Sequence, residues 1–202
     1  MIRLLQYLIN NHAVTFDPGT HTYYVDQVPV VNIGTLVDTV FPRNTAKVDP
    51  EILMKAAAKG QALKDMIIRY EQDAVKTYDT EMQSYLNLKR QHQFDVLEND
   101  VIVLLHQNSR IVAAGSVPLI LTSPYMKATG LAVIKRAAHI DMKRLKLQLN
   151  LYKLAYEQTY RKKLSYLKCV HIRGYHHTYL DVPVDTTQTK IELEKFLEEH
   201  SF

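Results

Sequence analysis

The chain has 202 residues, enough for one domain with a substantial core, and its shares of 47% apolar and 23% charged residues are ordinary for a globular protein. There are 25 lysines and arginines against 21 acidic residues, so a net charge of +4 permits nucleic-acid binding without requiring it. The single cysteine, Cys169, excludes a disulfide framework and favours a reducing compartment. No stretch approaches the roughly 20 apolar residues of a membrane span, so we predict a cytoplasmic protein.

The first half of the chain is predicted to be mostly helical. Apolar residues recur at helical spacing over 2–11, which predicts a first amphipathic helix. Turn signals at 17–19 and 26–27 predict a small hairpin. Further helices are predicted to end before Pro42, to begin at Asp49-Pro50 and run to about 73, and to cover about 80–93.

The second half is rich in strand-forming residues. Apolar runs predict strands at about 98–106, 111–121 and 130–135, followed by a basic helix over about 140–162, a hairpin near Gly174 and a last helix. We therefore predict one α/β domain over 1–202, with a mixed central sheet flanked by helices and a helical N-terminal region. Within it, 1–95 form the mostly helical part with a small hairpin, 96–185 the sheet and crossing helix, and 186–202 the C-terminal helix.

The order of several short motifs resembles the RecB-like branch of the PD-(D/E)XK nuclease superfamily, in particular its phage-borne members. "AAAKGQALKDMI" is similar to a G-x-x-x-H helix, "AAGSVPLIL" to the strand that carries a metal-binding aspartate, and "LAVIKRA" to the strand that carries an acid and a lysine. "QLNLY", Gln148 to Tyr152, matches the Q-x-x-x-Y element of the helix behind the site. The resemblance covers about residues 20–185.

Two lysines compete for the position of the motif lysine. In the family this lysine ends a strand and precedes the helix glutamine by a dozen or so residues. Lys135 lies 13 residues before Gln148, whereas Lys143 lies only 5 before it, inside the predicted helix. Lys135 is therefore the positional match, and Asp141, in the triplet Asp141-Met142-Lys143, is interpreted as a residue at the start of a helix.

The resemblance also indicates which catalytic parts are missing. Family nucleases hold Mg²⁺ or Mn²⁺ on carboxylates, but here Pro118 and Val133 occupy the two acidic positions, and Lys64 replaces the histidine of the helix. Proline within a central strand would also suggest a strand edge, a bulge or a different register. Lys64 would either take the space of the missing cation or be an ordinary surface lysine. No metal is therefore expected, and the family positions that keep their residue type are Glu98, Lys135, Gln148 and Tyr152.

The helix that begins near residue 140 is unusually basic. Between residues 142 and 168 there are eight lysines and arginines but a single acidic residue, Glu157. A solvated surface would explain such a run, but attraction to phosphates would explain it equally well. The residues predicted to bind nucleic acid are Lys135, Lys143, Arg144 and Lys146.

These features predict a catalytically inactive, phage-encoded protein of nuclease fold, with no cofactor. It would bind DNA or a protein partner, for example by inhibiting a host defence nuclease such as a CRISPR effector. The alternative is an active exonuclease of phage recombination or replication that uses Mg²⁺ with relocated residues Glu98, Asp141 and Lys143. The oligomeric state is left open by the sequence.

Overall fold

The computed structural model describes residues 5–43, 48–75, 78–124 and 127–200. These residues form nine strands and five helices. The strands are β1 Leu5–Ile9, β2 His12–Asp17, β3 Thr22–Val25, β4 Val28–Asn32, β5 Asp95–Gln107, β6 Arg110–Ser123, β7 Ala128–Lys135, β8 Tyr166–Arg173 and β9 His176–Val182. The helices are α1 Ile33–Val40, α2 Pro50–Asp73, α3 Thr80–His92, α4 Met142–Tyr160 and α5 Thr186–Glu199.

One mixed sheet contains all of the described strands. Its order is β1-β2-β3-β4-β6-β7-β8-β9, with β5 paired to the other edge of β6. The pairs β4–β6 and β7–β8 are parallel, and the remaining pairs are antiparallel. The predicted α/β fold with a mixed sheet and flanking helices is confirmed, and the three predicted central strands are all present, each somewhat longer than expected.

The helices cover both faces of the sheet. On one face α1, α4 and α5 pack in a core cluster that includes Leu36, Val133, Leu149 and Phe196. On the other face α2 and α3 pack against β6, β7 and β8. A third, smaller cluster joins β2 and β3 to β5 and β6. Among the described helices none is both long and apolar enough to cross a membrane.

The N-terminal segment corrects the sequence prediction. Residues 5–9 and 12–17 are not helical but form the antiparallel strands β1 and β2. Asn10 and Asn11 both have positive φ, 51° and 67°, which is the geometry of a two-residue hairpin turn. The apolar spacing that predicts the helix begins at Ile2 and Leu4, which lie outside the described residues. The Asn10-Asn11 turn favours two strands instead.

The helix starts agree with the predicted caps. The Asp49 carboxylate accepts a hydrogen bond from the Glu51 amide at 2.8 Å, and Pro50 occupies the first turn of α2. The Asp141 carboxylate accepts bonds from the amides of Lys143 and Arg144 at 3.0 and 3.2 Å. The interpretation of Asp141 as a residue at a helix start is confirmed.

Candidate functional site

The sheet is forked at the middle of β6. On one edge of β6, strand β4 pairs as far as Ala114, and β7 pairs only from Leu119 onward. Between these two residues no described strand pairs with that edge. The carboxyl ends of β4 and β7 approach this gap from opposite directions. Crevices outside the carboxyl ends of strands, where the order of a sheet changes, are common binding sites.

Asp100 and Pro118 lie opposite each other at the level of the fork. Asn99 pairs with Leu119 and Val101 with Val117, so Asp100 falls between them, across from Pro118. Asp100 has a φ of +49°, a left-handed conformation that Asp tolerates better than most residues. Pro118 has no N–H to donate and lies where one edge of β6 is open, which fits the expectation of an edge-like position. Asp100 lies within β5.

Lys135 and Gln148 meet at this fork. Lys135 is the last residue of β7, and its Nζ donates to Gln148 Oε1 at 2.7 Å. The Lys135 side chain is half-buried. Desolvation lowers the pKa of the Lys135 ammonium; nearby Cys169 acts in the opposite direction, and Arg43 lowers the pKa further.

Tyr152 continues this cluster along α4. Its side chain is hydrogen-bonded to Gln148, and burial raises its pKa to about 12. The ring lies directly over Gly115 of β6, where an added Cβ would be 2.8 Å from Tyr152 Cε1. Gly115 therefore lets the tyrosine approach the sheet at the open edge of β6. The structure brings together Lys135, Gln148 and Tyr152, three of the four retained family positions.

The two positions that would carry metal-binding acids are apolar and buried. Val133 is 3% exposed and belongs to the core cluster under α4. Because it lies two residues before Lys135 on the same strand, it shares the face of the sheet on which Lys135 lies. Pro118 is also buried. Neither side chain has an oxygen atom, so these residues do not fit a hard divalent cation.

One carboxylate does lie beside the fork, but it already has a cation. Lys64 Nζ lies 2.9 Å from Asp100 Oδ1, and the Ser116 hydroxyl donates to the same oxygen. Of the two alternatives for Lys64, an ordinary surface lysine does not fit, because its ammonium has a carboxylate partner within the chain. Its ammonium neutralises Asp100 and ties α2 to β5. Sequence reasoning missed this role of Asp100, although its place directly before the apolar run Val101–Leu105 keeps it close to the core.

The basic residues at the start of α4 differ in whether their side chains already have an acidic partner within the chain. Lys143 is exposed, its backbone N–H donates to Asp141, and its side chain has no ion pair with the residues that the structure describes. The Arg144 guanidinium is held by the Asp38 carboxylate and the Phe41 carbonyl oxygen, and its side chain is 13% exposed. Lys146 forms an ion pair with Asp185 at 2.6 Å. Two of the four residues predicted to bind nucleic acid therefore have carboxylate partners within the chain.

Glu98, the fourth position that the resemblance identifies as retained, lies on β5 two residues before Asp100, but its side chain contacts the second half of α4 and the segment that follows it. Its carboxylate accepts from Tyr156 Oη at 3.3 Å and lies 3.5 Å from Lys162 Nζ. Tyr156 follows Asp141 by 15 residues along α4, which corresponds to about 22 Å of helix. The relocated set of Glu98, Asp141 and Lys143 therefore does not form one site. Within the described part of the chain, no group of three or more His, Cys, Asp or Glu residues is arranged to hold a metal ion.

A cleft of about 480 Å³ opens beside Lys135, between α1, the 136–141 segment and α4. Three lysine or arginine side chains and two acids line it, so these residues give it a net charge of +1 apart from His139 when Lys135 is protonated. Arg43 is exposed at the cleft, and its Nε lies 3.3 Å from Asp38. The charged lining residues are Asp38, Arg43, Lys135, Asp141 and Arg144.

Comparison with known proteins gives little further information. No protein-family model and no curated protein matches the chain. Among solved structures it is similar to the crystal structure of SSO0001, with 13% sequence identity and a TM-score of 0.47. The similarity covers 84% of this chain and 76% of that one.

Proposed function

We propose that this protein is a PD-(D/E)XK-like nuclease fold without metal-dependent chemistry, which binds the phosphate backbone of DNA at the cleft beside Lys135. The proposal depends chiefly on one observation: the half-buried Lys135 donates to Gln148, while the two positions around it that would carry acids hold Val133 and Pro118. The Lys135 ammonium can still attract a phosphate oxygen, but a divalent cation would need the carboxylates that Val133 and Pro118 lack.

The electrostatics around the fork further support the loss of cleavage. Asp100 is the described carboxylate beside the fork, and Lys64 lies 2.9 Å from it. A divalent ion at Asp100 would have to displace this ammonium or lie within a few ångströms of it, where like charges repel strongly. Among the described residues Mg²⁺ therefore has no set of oxygen ligands here, and the Glu98 carboxylate is already bound by Tyr156 Oη and lies 3.5 Å from Lys162 Nζ.

The purified protein is expected not to degrade linear duplex or single-stranded DNA in Mg²⁺ or Mn²⁺, because the acids that would bind the metal are replaced. The measurement is a time course of end-labelled DNA on a denaturing gel, with wild type, Lys135→Ala and Glu98→Ala in parallel. A metal-dependent activity that either substitution removes would contradict the proposal. Weak degradation that both variants share with wild type would come from a contaminant.

Binding is tested by exchanging charge at the two ends of α4. Lys143→Glu removes the exposed cation near the cleft, and Lys163→Glu makes the same change just beyond the other end of the helix. We expect the first variant to lower the salt slope of duplex binding by about 1 unit and to weaken binding at low salt, whereas the second should leave both nearly unchanged. Fluorescence anisotropy of a labelled duplex and a single strand over a salt series measures both quantities.

A protein partner is the second candidate, and one observation favours it. Arg144 and Lys146 already neutralise Asp38 and Asp185, which leaves fewer free cations for phosphates than the sequence suggests. If wild type fails to bind either nucleic acid even at low salt, the DNA proposal is wrong. A protein-directed role, such as inhibition of a host defence nuclease, then becomes the better hypothesis.

A further inference from the structure

A second cleft lies at the other end of α4 from Lys135. Its volume is about 660 Å³, and it opens between the last turns of α4, the first half of α5 and the two tight turns that join β1 to β2 and β5 to β6. We call it the turn cleft. Arg144 lines the cleft beside Lys135 and Gln158 lines the turn cleft, and the helix between these two residues is about 20 Å long. The two clefts are therefore separate sites.

Hydrogen bonds hold the walls of the turn cleft together. The Asn10 side chain donates to the Thr159 carbonyl oxygen at 2.7 Å, which ties the β1–β2 turn to α4. The Gln158 side chain is bonded to both backbone groups of His106, at 2.8 and 3.0 Å, which ties the end of β5 to the same helix. The cleft is therefore formed before any ligand enters, so binding requires little ordering of the protein.

The turn cleft carries positive charge without an acid to balance it. Arg161 and Lys190 line it, and no Asp or Glu is among the described residues of its lining. Both residues are exposed, and neither has an ion pair with the part of the chain that the structure describes. Arg161 ends α4 and so complements the negative end of the helix dipole, but Lys190 has no such explanation. The cleft beside Lys135 differs, because Asp38 and Asp141 offset its cations.

His106 adds no charge to the turn cleft at neutral pH. Desolvation lowers the pKa of its imidazole, a backbone contact with Leu104 acts in the opposite direction, and His12 and Arg161 lower the pKa further. The ring is therefore neutral, and the positive charge of the cleft comes from Arg161 and Lys190.

The remaining lining groups suit a ligand with hydroxyl groups. The side chains of Gln107, Asn108 and Ser109 have no hydrogen bond to a described residue, so their amide and hydroxyl groups are free to bind a ligand. Leu154 is the single apolar residue of the described lining, which contains no Phe, Tyr or Trp. A nucleotide base would find no such ring to stack on, whereas a polyol would find several donors and acceptors.

We propose that the turn cleft binds a sugar phosphate, with the phosphate held by Arg161 and Lys190 and the sugar hydroxyls bound by the β5–β6 turn. A phosphate monoester carries close to two negative charges at neutral pH, which matches the two cations that lack acidic partners. The volume of the cleft is in the usual range for a small-molecule site. This proposal does not depend on the function proposed above, since the described linings of the two clefts share no residue.

Isothermal titration calorimetry of the full chain with ribose 5-phosphate, inorganic phosphate and ribose tests the site. Ribose 5-phosphate should bind about tenfold more tightly than inorganic phosphate, because the hydroxyl groups add hydrogen bonds, and ribose alone should not bind measurably. Arg161→Gln and Lys190→Gln should each weaken binding of ribose 5-phosphate about tenfold, the usual cost of losing one charge-assisted hydrogen bond. Lys163→Gln removes an exposed lysine that does not line the cleft, so this matched control should bind like wild type.

Nuclear magnetic resonance locates the ligand. The imidazole resonances of His106, identified with His106→Gln, should shift when ribose 5-phosphate is added, whereas those of His139, in the cleft beside Lys135, should not. A wild type that binds neither phosphate compound at millimolar concentration would overturn the proposal, as would an equal loss of binding in Lys163→Gln. Equal affinity for ribose 5-phosphate and inorganic phosphate would overturn the sugar assignment. Displacement of ribose 5-phosphate by duplex DNA would assign the cleft to nucleic-acid phosphates instead.

Discussion

Replacing Glu71 with alanine is expected to lower the free energy of unfolding by about 3–5 kcal/mol, the usual cost of leaving a buried charge without its partner. The Glu71 side chain is 6% exposed, and both carboxylate oxygens accept from Lys89 Nζ, at 2.9 and 2.7 Å. Tyr85 Oη donates to the same carboxylate at 2.7 Å. The substitution would leave the lysine and the tyrosine hydroxyl without this acceptor between α2 and α3.

The matched control lies on the same helix. Glu51 and Lys55 form an exposed ion pair, for which a loss of only about 0.5 kcal/mol is expected on Glu51→Ala. Urea unfolding followed by circular dichroism gives both values. Equal losses for the two variants would mean that the Glu71 cluster does not hold α2 against α3.

Replacing Gly115 with alanine is expected to destabilise the fold by about 1–3 kcal/mol, because it overpacks a closed core. The new Cβ would lie 2.8 Å from Tyr152 Cε1 and 3.3 Å from Ile33 Cδ1. Tyr152 is 7% exposed between α4 and the sheet, so it has little room to move. The displacement would also disturb Gln148 and Lys135, which share its hydrogen-bonded cluster.

Gly60→Ala is the control, for which the expected change in the free energy of unfolding has the opposite sign. The same methyl group meets nothing within 4 Å there, and it removes a helix-interior glycine, so a gain of about 0.5–1 kcal/mol is expected. Chemical denaturation measures both changes. The double variant Gly115→Ala/Tyr152→Leu should recover part of the loss, and its failure to do so would mean that the ring is not the source of the strain.

The sequence predicted the elements that have a long, regular pattern. The strands of the middle region and α2 have enough repeats for the period to be clear, and Asp49 and Asp141 have the expected cap geometry. The described part of the predicted first helix, residues 5–11, was predicted wrongly because its apolar residues fit both the helical and the strand period over so short a length. There the decisive signal was local, the Asn10-Asn11 turn with two positive φ angles.

For the candidate site, the sequence predicted the contact within one supersecondary unit but not the contacts between distant ones. Lys135 and Gln148 are 13 residues apart, on a strand and the helix that follows it, and they meet as the spacing suggested. The partners of Lys64 and Arg144 are 36 and 106 residues away, and no local pattern identifies them. These ion pairs decide which cations are free, so the electrostatics of the cleft emerge only from the tertiary structure.

The way the first four strands join the sheet has a consequence for folding during synthesis. Strands β1 to β4 join the rest of the sheet through two residue pairs between β4 and β6, Val31 with Ala113 and Asn32 with Ala114. The apolar side chains Val14, Tyr23 and Val25 are covered by Ile102, Leu104 and Ala114. The ribosome synthesises Val14, Tyr23 and Val25 some 80 residues before it reaches Ile102, the first residue that covers them. At about 5–20 residues per second, these side chains remain uncovered for several seconds on the nascent chain, where a chaperone has time to bind them.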